Sequence, residues 1–129
     1  TENFLDIAKH TLKISWQFNG DTFCEKERVL ERSSTFSIEN LNEKVLPFAF
    51  LEELMLCGDI KPYLADNLLE NANKLKPFFG DYIGVMPPPA FRDIKEVGLI
   101  YRRMENRYIL DYFSFEVENG KINKIIKCD

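Results

Sequence analysis

The sequence predicts a single α+β domain in which N-terminal helices pack on one face of a twisted antiparallel sheet that ends as a C-terminal β-meander. Three observations lead there. Apolar residues recur at helical spacing through the first 75 residues, the period switches to alternation after Val97, and Asn119-Gly120 is a hairpin signal between two aromatic or β-branched runs. At 129 residues the chain matches one ordinary domain, and 45% hydrophobic content supplies a core while excluding a disordered class.

Element by element, Phe4, Ala8, Leu12 and Trp16 fall every fourth position and predict a helix from Glu2 to Phe18. Leu12, Ile14, Trp16 and Phe18 also alternate with Lys13, Ser15 and Gln17 before Asn19-Gly20, which is a strand and hairpin pattern; the longer stripe favours the helix. Asp21 is a cap for a second helix over residues 22–32, where ERVLER spaces charges around Val29 and Leu30. Residues 1–45 are thus expected to form a helical N-terminal extension. Pro47 opens a third helix that Gly58 ends, and Ile60, Leu64, Leu68 and Ala72 stripe a fourth that Pro77 stops, giving a helical pair over 46–77.

Residues 78–129 are expected to form the sheet: one short strand over 78–86, a rigid corner at Pro87-Pro88-Pro89, then strands 97–104, 107–118 and 121–127. With two-residue turns at Glu105-Asn106 and Asn119-Gly120, Val117 opposes Ile122, Phe115 opposes Lys124, and Asp111 lies between Ile100 and Cys128 with Arg102 diagonal to it. Leu99, Tyr101, Tyr108, Leu110 and Tyr112 then share the opposite face, a candidate pocket wall or interface.

Charge narrows the function. Lys and Arg number 17 against 21 Asp and Glu, a net charge of −4, which argues against phosphate-backbone binding and so against a nucleic-acid partner. The acidity is concentrated in residues 1–64, with 7 basic and 11 acidic side chains, so a charge-steered partner would meet that half. No apolar run has the length of a membrane span, the first residues do not resemble a signal peptide, and three cysteines without a CxxC pair suit free thiols, so a cytoplasmic protein without a membrane partner is expected.

Phosphate-loop, dinucleotide, zinc-protease, nucleophile-elbow and EF-hand signatures are absent, and a single histidine, His10, rules out a His-rich metal site. No metal or cofactor is expected. Asp111 is the candidate general base, because a carboxylate on an apolar sheet face titrates high unless a cation such as Arg102 pairs with it. Tyr101, Tyr108 and Tyr112, with Leu99, Leu110 and Arg102, are the candidate ligand-binding residues. Cys24, near an expected helix start, is the better reactive thiol, whereas Cys57 lies at a helix C-terminus.

Residues 45–126, with FLEELMLCGDIKPYLADNLL and VGLIYRRMENRYILDYFSFEVENGKINKI, resemble the nuclear-transport-factor-2-like (SnoaL-like, cystatin-like) superfamily. The resemblance implies helices against a curved antiparallel sheet and a pocket, without fixing a reaction. The chain departs from that pattern in its first 45 residues, in having too few late strands, and in lacking a partner histidine for Asp111. Three functions follow as expectations. The first is a non-catalytic domain holding an apolar small molecule, a protein partner or a second copy of itself on the aromatic face. The second is a pocket enzyme of the isomerase, cyclase or hydrolase type with Asp111 as base. The third is an acidic inhibitor or immunity-type protein using Glu25, Glu27, Glu31, Glu52 and Glu53 against a basic partner.

Overall fold

Leu12, Ile14, Trp16 and Phe18 alternate with Lys13, Ser15 and Gln17, and this period of two, not the fourfold stripe, sets the N-terminal structure. The computed structural model describes residues 2–5, 11–18, 20–31, 45–86, 96–104 and 107–128. Its first strands are β1 (Glu2–Leu5), β2 (Thr11–Phe18) and β3 (Phe23–Glu31), an antiparallel sheet in that order. The expected N-terminal helices are therefore corrected to strands. Pairing of β1 with β2, Phe4 opposite Leu12, supplies a ladder that an isolated helix lacks, and Gly20 takes the left-handed φ of +104° needed to turn into β3. His10 lies outside the described residues.

Helices follow. Pro47 sits in the first turn of α1 (Leu46–Met55), as the sequence indicates. The helix ends at Met55, three residues before Gly58: Cys57 takes the left-handed position at φ 56°, and the Gly58 N–H donates to the Glu53 carbonyl at 3.1 Å, a Schellman closure. The expected single fourth helix is broken into a 3₁₀ turn (Lys61–Tyr63), α2 (Asp66–Leu69) and α3 (Ala72–Phe79). Leu64 and Ala65 are extended between them because they bridge the sheet, the Ala65 N–H donating to the Ile122 carbonyl at 2.8 Å. Pro77 lies inside α3, since the helix must run two residues further to seat Phe79 against Phe50, Phe113 and Phe115.

The second sheet has the order β4 (Gly84–Met86), β5 (Glu96–Met104), β6 (Arg107–Glu118), β7 (Lys121–Lys127), all antiparallel. The meander β5–β7 matches the expected strands, while the expected strand over 78–86 shrinks to its last three residues. Asn119 and Gly120, at φ 53° and 73°, make the tight turn between β6 and β7. The triple proline and Glu105-Asn106 lie outside the described residues.

Both expected registers slip by one residue, and bulges are the reason. Asn123 is unpaired between the Val117–Ile122 and Glu116–Lys124 pairs, so Ile125 instead of Lys124 stands opposite Phe115. Ile122 and Ile125 thereby both join the core, and a lysine is kept out of it. The freed Asn123 carbonyl accepts a 2.7 Å hydrogen bond from Asn67 of α2. Arg103 is unpaired in the same way, which puts Asp111 opposite Leu99 and Ile109 opposite Tyr101. The core face of the sheet is thus Val97, Leu99, Tyr101, Phe113 and Phe115, packed against Phe50, Leu51, Leu54, Leu75 and Phe79 from the helices. Ile100, Arg102, Tyr108, Leu110 and Tyr112 take the other face.

Two phenols close the core. The Tyr82 hydroxyl donates to the Leu51 carbonyl at 2.5 Å and the Tyr101 hydroxyl donates to the Phe79 carbonyl. Burial first, then the nearby Tyr101 and Glu52, push Tyr82 well above its ordinary 10.0; burial, then Asp111, raises Tyr101. Both shifts favour the neutral phenol in the folded chain. The contribution of these two phenols to folding stability is therefore flat below pH 10, where the unfolded chain keeps them protonated, and falls above it as only the unfolded state ionises. Denaturant titrations at pH 10 to 12 are expected to show a Tyr82 slope of about 1.4 kcal/mol per pH unit. Tyr82→Phe removes that slope and costs about 1 kcal/mol at pH 7 for the lost hydrogen bond.

Candidate functional site

A bulge also shapes the first sheet. Lys26 is unpaired between the Ser15–Glu27 and Trp16–Glu25 pairs, and the phase change turns Glu25 and Arg28 to the same face as Ile14 and Trp16. This face looks across at Ile100, Arg102, Tyr108 and Leu110. Between them lies an open cleft of about 450 Å³. Its apolar walls are Trp16 from β2, Met86 from β4, Ile100 from β5, and Tyr108, Ile109 and Leu110 from β6; Glu25 and Arg28 supply its polar side.

The polar side is an ion cluster joining the two sheets. Glu25 Oε1 accepts from Arg28 Nε at 3.1 Å and Nη2 at 2.8 Å, and Oε2 accepts from Arg102 Nη2 at 2.5 Å. The Glu25 side chain is only 2% exposed, whereas Arg28 and Arg102 are 20% and 40% exposed, so the carboxylate is enclosed by its cations. Gly84 makes room for this: a Cβ there would lie 3.1 Å from Arg28 Nη1. Arg102 also sits over the Tyr108 ring, 5.8 Å from its centroid.

The sequence-predicted residues divide between the two sides of the sheet. Arg102, Tyr108, Leu110 and Tyr112 share the cleft face, and Tyr108 and Leu110 line the cleft itself. Leu99 is fully buried in the core and Tyr101 is engaged with Phe79, so the face expected to carry both of them with Tyr108 is corrected. Asp111 is on the core-face register, does not line the cleft, and has Lys127 Nζ 3.9 Å from its Oδ2; the expected pairing with Arg102 is replaced, because Arg102 goes to Glu25. Cys24 lies within β3, not at a helix start, and Cys57 is exposed with Lys76 Nζ 3.2 Å from its sulfur.

Sequence reasoning missed Trp16, Met86 and Ile100 as cleft residues and Glu25 with Arg28 as an ion cluster. Alternation in β2 was the signal for Trp16; nothing local connects Glu25 to a residue 77 positions away. Among the described residues no group of His, Cys, Asp or Glu could hold a metal ion, and no helix is long and apolar enough to cross a membrane. Neither a protein-family model, nor a curated protein, nor a solved structure matches this chain.

Proposed function

We propose that the protein is a non-catalytic binding domain that holds an apolar small molecule in the cleft between its two sheets. The observation that carries this is the cleft's lining: Trp16, Met86, Tyr108 and Leu110 stay 37–45% exposed around a space of about 450 Å³. Small-molecule sites run from about 300 to 1,000 Å³ and are walled mainly by apolar and aromatic side chains. The family resemblance read from residues 45–126 favours a pocket as well, and the cysteine usage favours the cytoplasm as the place where it works.

The enzyme reading has less support, because Asp111 and Tyr101 lie outside the cleft and Asp111 faces Lys127. An acidic decoy needs a carboxylate surface, and Glu25, Glu52 and Glu53 are withdrawn from solvent. A protein partner, or a second copy of the chain, is favoured by one observation: Phe18 and Phe23 stand exposed at the β2–β3 turn with ring centroids 5.1 Å apart. Native mass spectrometry separates the two, a small molecule on a monomer supporting the cleft and a ligand-free dimer supporting the interface.

Trp16 is the single tryptophan of the chain, so its emission reports on the cleft alone. Titration with the neutral fluorophore N-phenyl-1-naphthylamine is expected to quench Trp16 and brighten the probe with a stoichiometry of one. Leu110→Glu, at a wall position 37% exposed, is expected to weaken binding by about tenfold or more, since it places a charge against the apolar ligand. An unchanged Trp16 spectrum at saturating probe overturns the proposal.

A further inference from the structure

We infer that the natural ligand of the cleft is an amphipathic acid, an apolar body carrying one carboxylate or similar anionic group that docks on Arg28 and Arg102. This rests on the reading of the cleft as a small-molecule site and names the ligand's class.

The charges around Glu25 are unbalanced. Two guanidinium groups share one carboxylate, both of whose oxygens are already used, Oε1 by Arg28 and Oε2 by Arg102. Among the described residues one positive charge is thus left over at the cleft's edge. The enclosed member of the cluster is the anion and the exposed members are the cations, Arg102 most of all at 40%. A guanidinium presents five N–H donors in a planar fork, and Arg102 spends one nitrogen on Glu25 while its plane is steadied by Tyr108. Its remaining donors have no partner among the described residues.

The surroundings reinforce that sign. Arg103 and Arg107 are exposed beside Arg102 at the same end of β5 and β6, in a chain whose overall charge is −4. A cationic ligand would meet like charge there. A purely apolar ligand would cover guanidinium donors without replacing the water it removes, which is unfavourable. An acid satisfies both ends: its apolar body lies on Trp16, Ile100 and Leu110, and its head group takes the free donors in charge-assisted hydrogen bonds. Glu25 then acts as the brace that holds two arginines side by side without neutralising both.

The test compares decanoate with decanol, equal in chain length and different in charge at pH 7, as competitors of N-phenyl-1-naphthylamine. Decanoate is expected to displace the probe at about tenfold lower concentration than decanol. That ratio is expected to shrink toward one in Arg102→Gln. In the unmodified protein it should also shrink between 50 mM and 1 M sodium chloride, a measurement that needs no variant. Decanol displacing the probe as well as decanoate does overturns the acid assignment and leaves the cleft reading intact. Retention of the full ratio in a folded Arg102→Gln, with no salt dependence, overturns the role of the arginines. Failure of the probe to bind at all overturns the cleft reading and this inference with it.

Discussion

Phe50→Ala is expected to lower stability by about 3–5 kcal/mol, the range for truncating a fully buried aromatic residue. Phe50 is fully buried at the middle of α1, and its ring meets Phe79 and Phe115 edge-on at 6.1 and 6.3 Å and Tyr63 at 6.1 Å. It is therefore the point at which α1, the 3₁₀ turn, α3 and β6 share one contact. Aromatic pairs at these separations contribute about 0.5–1.5 kcal/mol each beyond area burial, and alanine leaves a cavity that three surrounding elements cannot all collapse into. Set against a total stability of about 5–15 kcal/mol, the loss is a large fraction of it. Thermal unfolding followed by circular dichroism should show the midpoint fall by more than about 10 °C, at roughly 3–4 °C per kcal/mol for a chain of this size. Ile126→Ala, on the exposed face of β7, is the control and should shift it by less than about 2 °C. Equal midpoints for the two variants would mean that the aromatic cluster is not the core.

How much of this the sequence reveals depends on the range of the interaction that decides each element. The helix α1 is legible because its determinants are local: Pro47 in the first turn, apolar residues along the stripe, a left-handed stop near Gly58. The β6–β7 hairpin is legible for the same reason, since Asn119 and Gly120 both adopt the positive φ that these two residue types tolerate. The N-terminal strands are not legible. Phe4, Ala8, Leu12 and Trp16 fit a helix by spacing, and what overrules that spacing is a ladder with β1 and β3, a pairing that no window of residues displays. Register fails at each bulge. Once Arg103 or Asn123 drops out of the ladder every later partner shifts by one, moving Tyr101 into the core and parting it from Tyr108. The spacing of three between Ile122 and Ile125 is the one trace of a bulge in the sequence itself. Of the candidate site, the aromatic face was visible, but its opposing wall was hidden within a segment read as helix.

Glu25→Ala is expected to cost about 3 kcal/mol, near the lower end of the range for breaking an enclosed ion pair, because both arginines retain some contact with solvent. The loss comes less from forfeited attraction than from what remains: Arg28 lying over Gly84 and Arg102 over Tyr108, two like charges brought together with nothing between them. The damage should fall on the first sheet. Glu25 belongs to β3 and Arg102 to β5, so this bond ties the first sheet to the second, whereas among the described residues the aromatic cluster around Phe50 is built from the helices and the second sheet. Hydrogen exchange should accordingly show early loss of protection in β2 and β3 while β5 to β7 keep theirs until global unfolding. The double variant Glu25→Ala/Arg102→Ala relieves the uncompensated charge and should be more stable than the sum of its single changes by about 1–2 kcal/mol, since the two sites share a partner. Strict additivity would show that the two residues act independently. Uniform loss of protection across both sheets would show that the N-terminal sheet is held by other means, and the cleft would then no longer depend on this cluster for its second wall.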